Sequence, residues 1–202
     1  MTANPDRVRA LKLARRQQGV TSRELTRAGV HRQVLTRLVA SGQLERLARG
    51  LYRSPEQTIT EQHGLVIAAA AVPHGIICLL SALQYHGLGT ELPAAIWMAI
   101  DRRARRPALR YPPLRIVRYT GAALTAGVER HVMEGRPVKI YSLPKTLADC
   151  FKYRNKIGLD VALEALRDAW RTRRFTMDQL DRYAAICRVQ RVMRPYIEAL
   201  TA

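Results

Sequence analysis

The sequence predicts an α+β protein in two parts, a three-helix module followed by a domain in which helices pack a small, mainly antiparallel sheet. Three observations predict it. Apolar residues recur at helical spacing through the first forty residues and again beyond Tyr141. Between those stretches lie short, continuous apolar runs of strand length, Ala95 to Ile100 and Leu114 to Tyr119. The charge also breaks abruptly at Ser54-Pro55: residues 1–53 carry 12 basic and 3 acidic side chains, whereas residues 54–100 carry no Lys or Arg and 3 acidic ones. That break sets the expected division, residues 1–54 and residues 55–202.

Composition limits the classes. With 48% hydrophobic residues and a formal charge of +18 from 34 Lys+Arg against 16 Asp+Glu, the 202-residue chain is folded and strongly basic, not disordered. Cys78, Cys150 and Cys187 are far apart and lack C-x-x-C spacing, so neither a disulfide framework nor a zinc site is expected and a reducing cytosol fits. Met1 to Arg16 is polar, without the apolar core of a secretory signal. Leu65 to Leu83 is the one membrane-like stretch, and Pro73-His74-Gly75 divides it into pieces shorter than the roughly 20 residues a spanning helix needs. A cytoplasmic protein with no cofactor and no metal is the expectation.

The N-terminal elements follow in order. Asn4-Pro5-Asp6 supplies a capping acceptor, a proline at the first helical position and a carboxylate at the positive dipole end, and Gly19 supplies the stop. Thr21-Ser22-Arg23-Glu24 has capping-box spacing and opens a short helix that ends at Ala28-Gly29. From His31 to Ala40 the period sorts Val34, Leu35, Leu38 and Val39 onto one face and Arg32, Gln33, Thr36 and Arg37 onto the other. Gln43 to Arg53, two apolar-containing segments about Gly50, reads as a wing hairpin. Together these make a winged helix-turn-helix.

In such a module the polar face of the last helix meets the major groove. Arg contacts a guanine edge bidentately, Gln contacts adenine, and Thr meets a thymine methyl or a phosphate. Arg32, Gln33, Thr36 and Arg37 are therefore the base-reading candidates, with Thr21 beside them. Arg46, Arg49 and Arg53 on the wing are placed against phosphates, where binding releases counterions and carries no sequence information. His31 is read as exposed, with a capping or phosphate role as the alternative.

In the second part, Thr58 to Ala71 and Ile76 to His86 read as two apolar helices, the first with capping-box spacing from Thr58 to Glu61. Ala95 to Ile100 and Leu114 to Tyr119 read as strands, and Val128 to Met133 pairs with Val138 to Tyr141 about Glu134-Gly135-Arg136-Pro137. Ala162, Ala165, Leu166, Ala169 and Trp170 mark one late helix. Leu180, Tyr183, Ala184 and Cys187 mark another, after the capping-box pair Thr176 and Gln179. Arg102, Arg103, Arg105 and Arg106 form a basic loop that is either solvated or a phosphate contact. Lys145, Asp149 and Lys152 share a helix side read as a solvated, salt-bridged face; the alternative makes Lys145, Lys152 and Arg154 a surface for nucleic acid or toxin.

Two sets of motifs carry a family resemblance. Gly19-Val20-Thr21, Glu24-Leu25, Gly29-Val30, Leu35-Thr36-Arg37-Leu38-Val39, Gly42-Gln43-Leu44 and Arg49-Gly50-Leu51-Tyr52 resemble the winged helix of the AbiEi antitoxins, the antitoxins of type IV toxin–antitoxin pairs. Cys78 to Leu83, His86-Gly87-Leu88, Trp97, the run from Tyr141 to Arg154, Gly158-Leu159-Asp160 and Leu163 to Leu166 are similar to the body of the same family, so the resemblance covers almost the whole chain. It implies a transcriptional autorepressor that binds its own operon, with inverted repeats in the promoter and a free chain that can be monomeric. It also implies an antitoxin that counters a nucleotidyltransferase-like toxin without a stable complex, in phage defence by abortive infection.

The alternative is a nucleic-acid-processing enzyme delivered by the winged helix. Asp101 and Glu134 are its acidic candidates, but Lys139 has Pro137 where an acidic metal ligand would stand two residues before it. No carboxylate pair follows a Gly-Ser turn, no phosphate-binding G-x-x-x-x-G-K-[ST] loop occurs, and the five histidines lack H-x-x-x-H or H-E-x-x-H spacing. No catalytic residue is assigned.

Overall fold

A computed structural model describes residues 4–16, 19–48, 50–56, 60–109 and 111–201. They form two compact units, one of residues 1–73, 107–113 and 131–138, the other of residues 74–106, 114–130 and 139–202.

The first unit begins with α1 (Pro5–Arg16), where Asp6 N donates to Asn4 Oδ1 at 3.0 Å. Next come β1 (Val20–Thr21), α2 (Ser22–Arg27) and α3 (Arg32–Ala40), then β2 (Glu45–Ala48), β3 (Leu51–Arg53) and α4 (His63–Ala71). The capping box at α2 forms as expected: Glu24 N donates to Thr21 Oγ1 at 3.2 Å, and Thr21 N donates to Glu24 Oε2 at 2.6 Å. Gly29 stops the helix at φ 76°, a left-handed value that L side chains resist, while Val30 N donates back to Leu25 O. Ala10, Ala14, Val20, Leu25, Val30, Leu35, Leu38 and Leu44 are buried together. The strands form a three-stranded antiparallel sheet in the order β1-β3-β2, and α4 packs against β2 and β3.

The remaining elements are β4 (Ile76–Ile77), α5 (Leu79–Tyr85), β5 (Ile96–Asp101), β6 (Leu114–Tyr119), α6 (Ala122–Thr125), β7 (Val128–Met133) and β8 (Arg136–Tyr141). They are followed by α7 (Leu143–Lys152), α8 (Arg154–Ile157), α9 (Leu159–Arg171), α10 (Met177–Cys187) and α11 (Gln190–Thr201). α7 lies at the centre of the second unit, against α5, α9 and α10. The expected faces of α9 and α10 are inward: Ala162, Ala165, Leu166, Ala169, Leu180, Ala184 and Cys187 are buried. Thr176 and Gln179 close their capping box.

Three expectations change. The five-stranded sheet, in the order β6-β5-β4-β8-β7, is mixed: β4 runs antiparallel to β5, but β4 with β8 and β5 with β6 are parallel. An apolar run states that a strand is buried, not which way its neighbour runs. Second, Ile76 does not open a helix. Ile76 and Ile77 pair with Ala99 and Met98, and α5 starts only at Leu79, because two β-branched residues beside an existing strand gain ladder hydrogen bonds that a helix end would not supply. α4 starts at His63, later than expected, and Thr58 of the expected capping box lies outside the described residues.

Candidate nucleic-acid interface

α3 presents two chemically distinct faces. Val34, Leu35 and Leu38 are buried, whereas Arg32, Gln33, Thr36 and Arg37 are exposed. The start of the helix is held twice: Gln33 N donates to His31 Nδ1 at 3.4 Å, so His31 caps the helix, and His31 N donates to Asp6 Oδ2 at 3.2 Å. Thr36 Oγ1 donates weakly to Arg32 O at 3.5 Å, leaving the outer surface of α3 as two guanidinium groups, an amide and a hydroxyl.

Thr21 is engaged rather than open: its hydroxyl donates to Glu24 Oε2 at 2.7 Å as well as accepting the capping bond. On the hairpin, Arg46 is exposed and Arg49 lies outside the described residues. Arg53 corrects the expectation of a phosphate contact. It is 9% exposed and ion-paired with Glu45, Nη2 to Oε2 at 2.6 Å and Nε to Oε2 at 2.8 Å. The register explains it, since Glu45 stands directly opposite Arg53 across β2 and β3. The bulge between Arg46 and Ala48 sets that pairing, so distance from Gly50 in the sequence does not give it.

Arg136 was not singled out by its sequence context, yet it grips the α2 junction. Nε donates to Gly19 O at 2.8 Å, Nη2 also donates to Gly19 O, and Nη2 donates to Glu24 Oε2 at 2.8 Å. Burial alone would raise the Glu24 pKa, but the bonds from Arg136 and Thr21 outweigh it and hold the carboxyl below its usual range. Nearby in the chain, Glu134 accepts from Thr60 N at 3.3 Å, Thr60 Oγ1 at 2.6 Å and His63 Nδ1 at 2.8 Å. Those bonds likewise overcome burial and lower its pKa. Glu134 is therefore engaged in the fold, and Asp101 Oδ1 accepts Arg103 N at 2.8 Å. Among the described residues no group of three or more His, Cys, Asp or Glu is placed to hold a metal ion, and no helix is long and apolar enough to cross a membrane.

In the second unit Arg102, Arg103, Arg105 and Arg106 are all exposed. Their loop is held from beneath by Arg118, whose Nη1 donates to the carbonyls of Asp101, Arg102 and Ala104 at 3.3, 2.7 and 2.9 Å. Lys145 is a second correction. It pairs with Asp149 as its spacing predicts, at 2.5 Å, but both side chains are 0% exposed, so the pair belongs to the core and not to a surface. The ammonium lies 4.1 Å from the Tyr141 ring centroid and 5.0 Å from that of Tyr119. Cys187 Sγ donates to the other Asp149 oxygen at 3.2 Å. Burial raises the Asp149 pKa in spite of Lys145, and burial followed by the Asp149 charge pushes Cys187 up to about 12. Lys152 is exposed, 5.8 Å from the Tyr119 ring, while Arg154 is half-buried with Nη1 on Phe151 O at 2.9 Å.

Residues 8–55 match the family described as transcriptional regulator, AbiEi antitoxin. Over those residues, about a quarter of the chain, the sequence is similar to the AbiEi antitoxin regulators. The match takes in α2, α3 and the hairpin, which carry the first set of motifs; the second set, from Cys78 to Leu166, lies outside it, as does Arg136. No curated protein matches the chain. The crystal structure of the RV2827C protein from Mycobacterium tuberculosis is similar over 91% of this chain and 72% of that one, with a TM-score of 0.62 and 17% identity. At that identity the likeness concerns the fold.

Proposed function

We propose that the chain is a DNA-binding transcriptional autorepressor and antitoxin of a type IV pair, acting through a winged helix-turn-helix within residues 1–54. The observation that carries the DNA reading is α3: Arg32, Gln33, Thr36 and Arg37 exposed on one face, Val34, Leu35 and Leu38 buried on the other, inside the AbiEi antitoxin match. α3 lies in the major groove, Arg37 and Gln33 reading base edges. The β2–β3 hairpin is the wing, with Arg46 against the phosphates. Charge supports the partner, since a +18 chain is drawn to a polyanion.

Residues 55–202 carry the antitoxin activity, opposing a nucleotidyltransferase-like toxin without a stable complex. The exposed Arg102 to Arg106 loop, preorganised by Arg118, is the surface on which that activity is to be sought. The experiment has two arms. Anisotropy with labelled promoter DNA tests repression, and growth on co-expression with the product of the neighbouring toxin gene tests neutralisation. Promoter affinity no better than that for random duplex rejects the first arm, and unchanged toxicity rejects the second.

A further inference from the structure

We propose that Arg136 is a positioning residue for promoter binding, the latch by which the end of the β7–β8 hairpin, residues 131–138, sets α3; the proposal rests on the reading of α3 as the base-contacting helix. Arg136 is 8% exposed, so its charge is directed inward and neutralises no phosphate. Its guanidinium engages two groups that flank the start of α2, the Gly19 carbonyl just before β1 and the Glu24 carboxylate in the first turn. One oxygen of Glu24 thus accepts from Arg136 Nη2, Thr21 N and Thr21 Oγ1 at 2.8, 2.6 and 2.7 Å. The planar fork closes the strand–helix junction in a way a point charge does not.

The position of that junction passes directly to α3. Val30 N donates to Leu25 O and Gly29 N to Thr26 O, so the turn into α3 is bonded to the body of α2. The turn that precedes Arg136 is itself tied down. Glu134 sits at φ 49°, a left-handed value for a residue with a Cβ, while its carboxylate is held by Thr60 and His63. Arg136 and Glu134 fasten the two sides of Gly135 within the first unit, although both lie far along the chain from residues 8–55. A ligand or partner that displaces this turn releases the α2 junction and weakens promoter binding, with no contact to DNA required.

The test uses the full chain, its own promoter DNA and a random duplex of equal length, with affinities measured across a salt series at 10 °C and near-ultraviolet circular dichroism reporting the fold. R136M is expected to weaken promoter binding about tenfold or more, the equivalent of one charge-assisted hydrogen bond at 1.4 kcal/mol per tenfold. Affinity for the random duplex and the salt slope should not change, whereas loss of a phosphate contact would lower the slope by about 1. R136K is expected not to restore the affinity, and E24Q in the R136M background should add little, because the two act as one unit. If R136M does not fold, E24Q alone decides, with a severalfold promoter-selective loss expected. A folded R136M or E24Q that binds the promoter as the wild type does, or loses both DNAs equally, overturns the proposal. A wild-type chain with no promoter preference overturns the reading of α3 instead, and that result appears before any variant is made.

Discussion

Replacing Lys145 by Met removes one half of an ion pair that no solvent reaches. Both side chains are 0% exposed, and without Lys145 the Asp149 carboxylate keeps the Cys187 thiol, a weak donor at 3.2 Å. Truncating one partner of such a pair leaves an uncompensated buried charge and costs about 3–5 kcal/mol, a large share of the stability of most domains. The pH dependence carries a sign. Burial already raises the Asp149 pKa, and without Lys145 it rises further, so the folded state holds a proton that the unfolded state releases near the ordinary value of 3.8. The K145M loss is therefore smallest near pH 4 and grows as pH rises toward the folded pKa. D149N instead leaves the Lys145 ammonium buried without its carboxylate and should cost a similar amount at pH 7. K145M/D149N removes both charges at nearly constant volume and should recover most of the stability, since a buried ion pair is no better than a well-packed neutral pair. Urea unfolding followed by far-ultraviolet circular dichroism between pH 4 and pH 8 measures all three. A K145M loss below about 1 kcal/mol at pH 7, or one that does not vary with pH, would refute the reasoning.

On the DNA side, R37A and Q33A are each expected to cost about 1–3 kcal/mol at the promoter and little on random duplex; equal losses on both would mean that α3 does not read bases. R46A should weaken all duplexes alike and lower the salt slope by about 1, checked by anisotropy from low to moderate salt. The full-length R32A/R37A variant should lose repression of a promoter–reporter fusion while still rescuing growth against the toxin, and simultaneous loss of both activities would argue against their separation. Glu24 and Glu134 have folded pKa values held below 4.5, so their contribution is complete above that value and is lost as pH falls through the depressed ones. E24Q should accordingly lower stability above about pH 4.5 and flatten the acid limb below it, so that variant and wild type converge at low pH.

The local chemistry of this chain was legible from its residues. Capping boxes at Thr21–Glu24 and Thr176–Gln179, the stop at Gly29, the two faces of α3 and the inward sides of α9 and α10 all arise from interactions within a few residues, which spacing alone encodes. Tertiary structure decided what depends on a distant partner. The i, i+4 spacing of Lys145 and Asp149 brings the two charges together, but whether that face meets water depends on α5, α9 and α10 closing over α7. Strand direction in the mixed sheet and the opposition of Glu45 to Arg53 depend on register, which a hydrophobic pattern does not state. Arg136 is the extreme case, because its partners Gly19 and Glu24 lie more than a hundred residues earlier. A lone arginine in a Gly-Arg-Pro turn looks solvated until the fold supplies a carbonyl and a carboxylate to receive it.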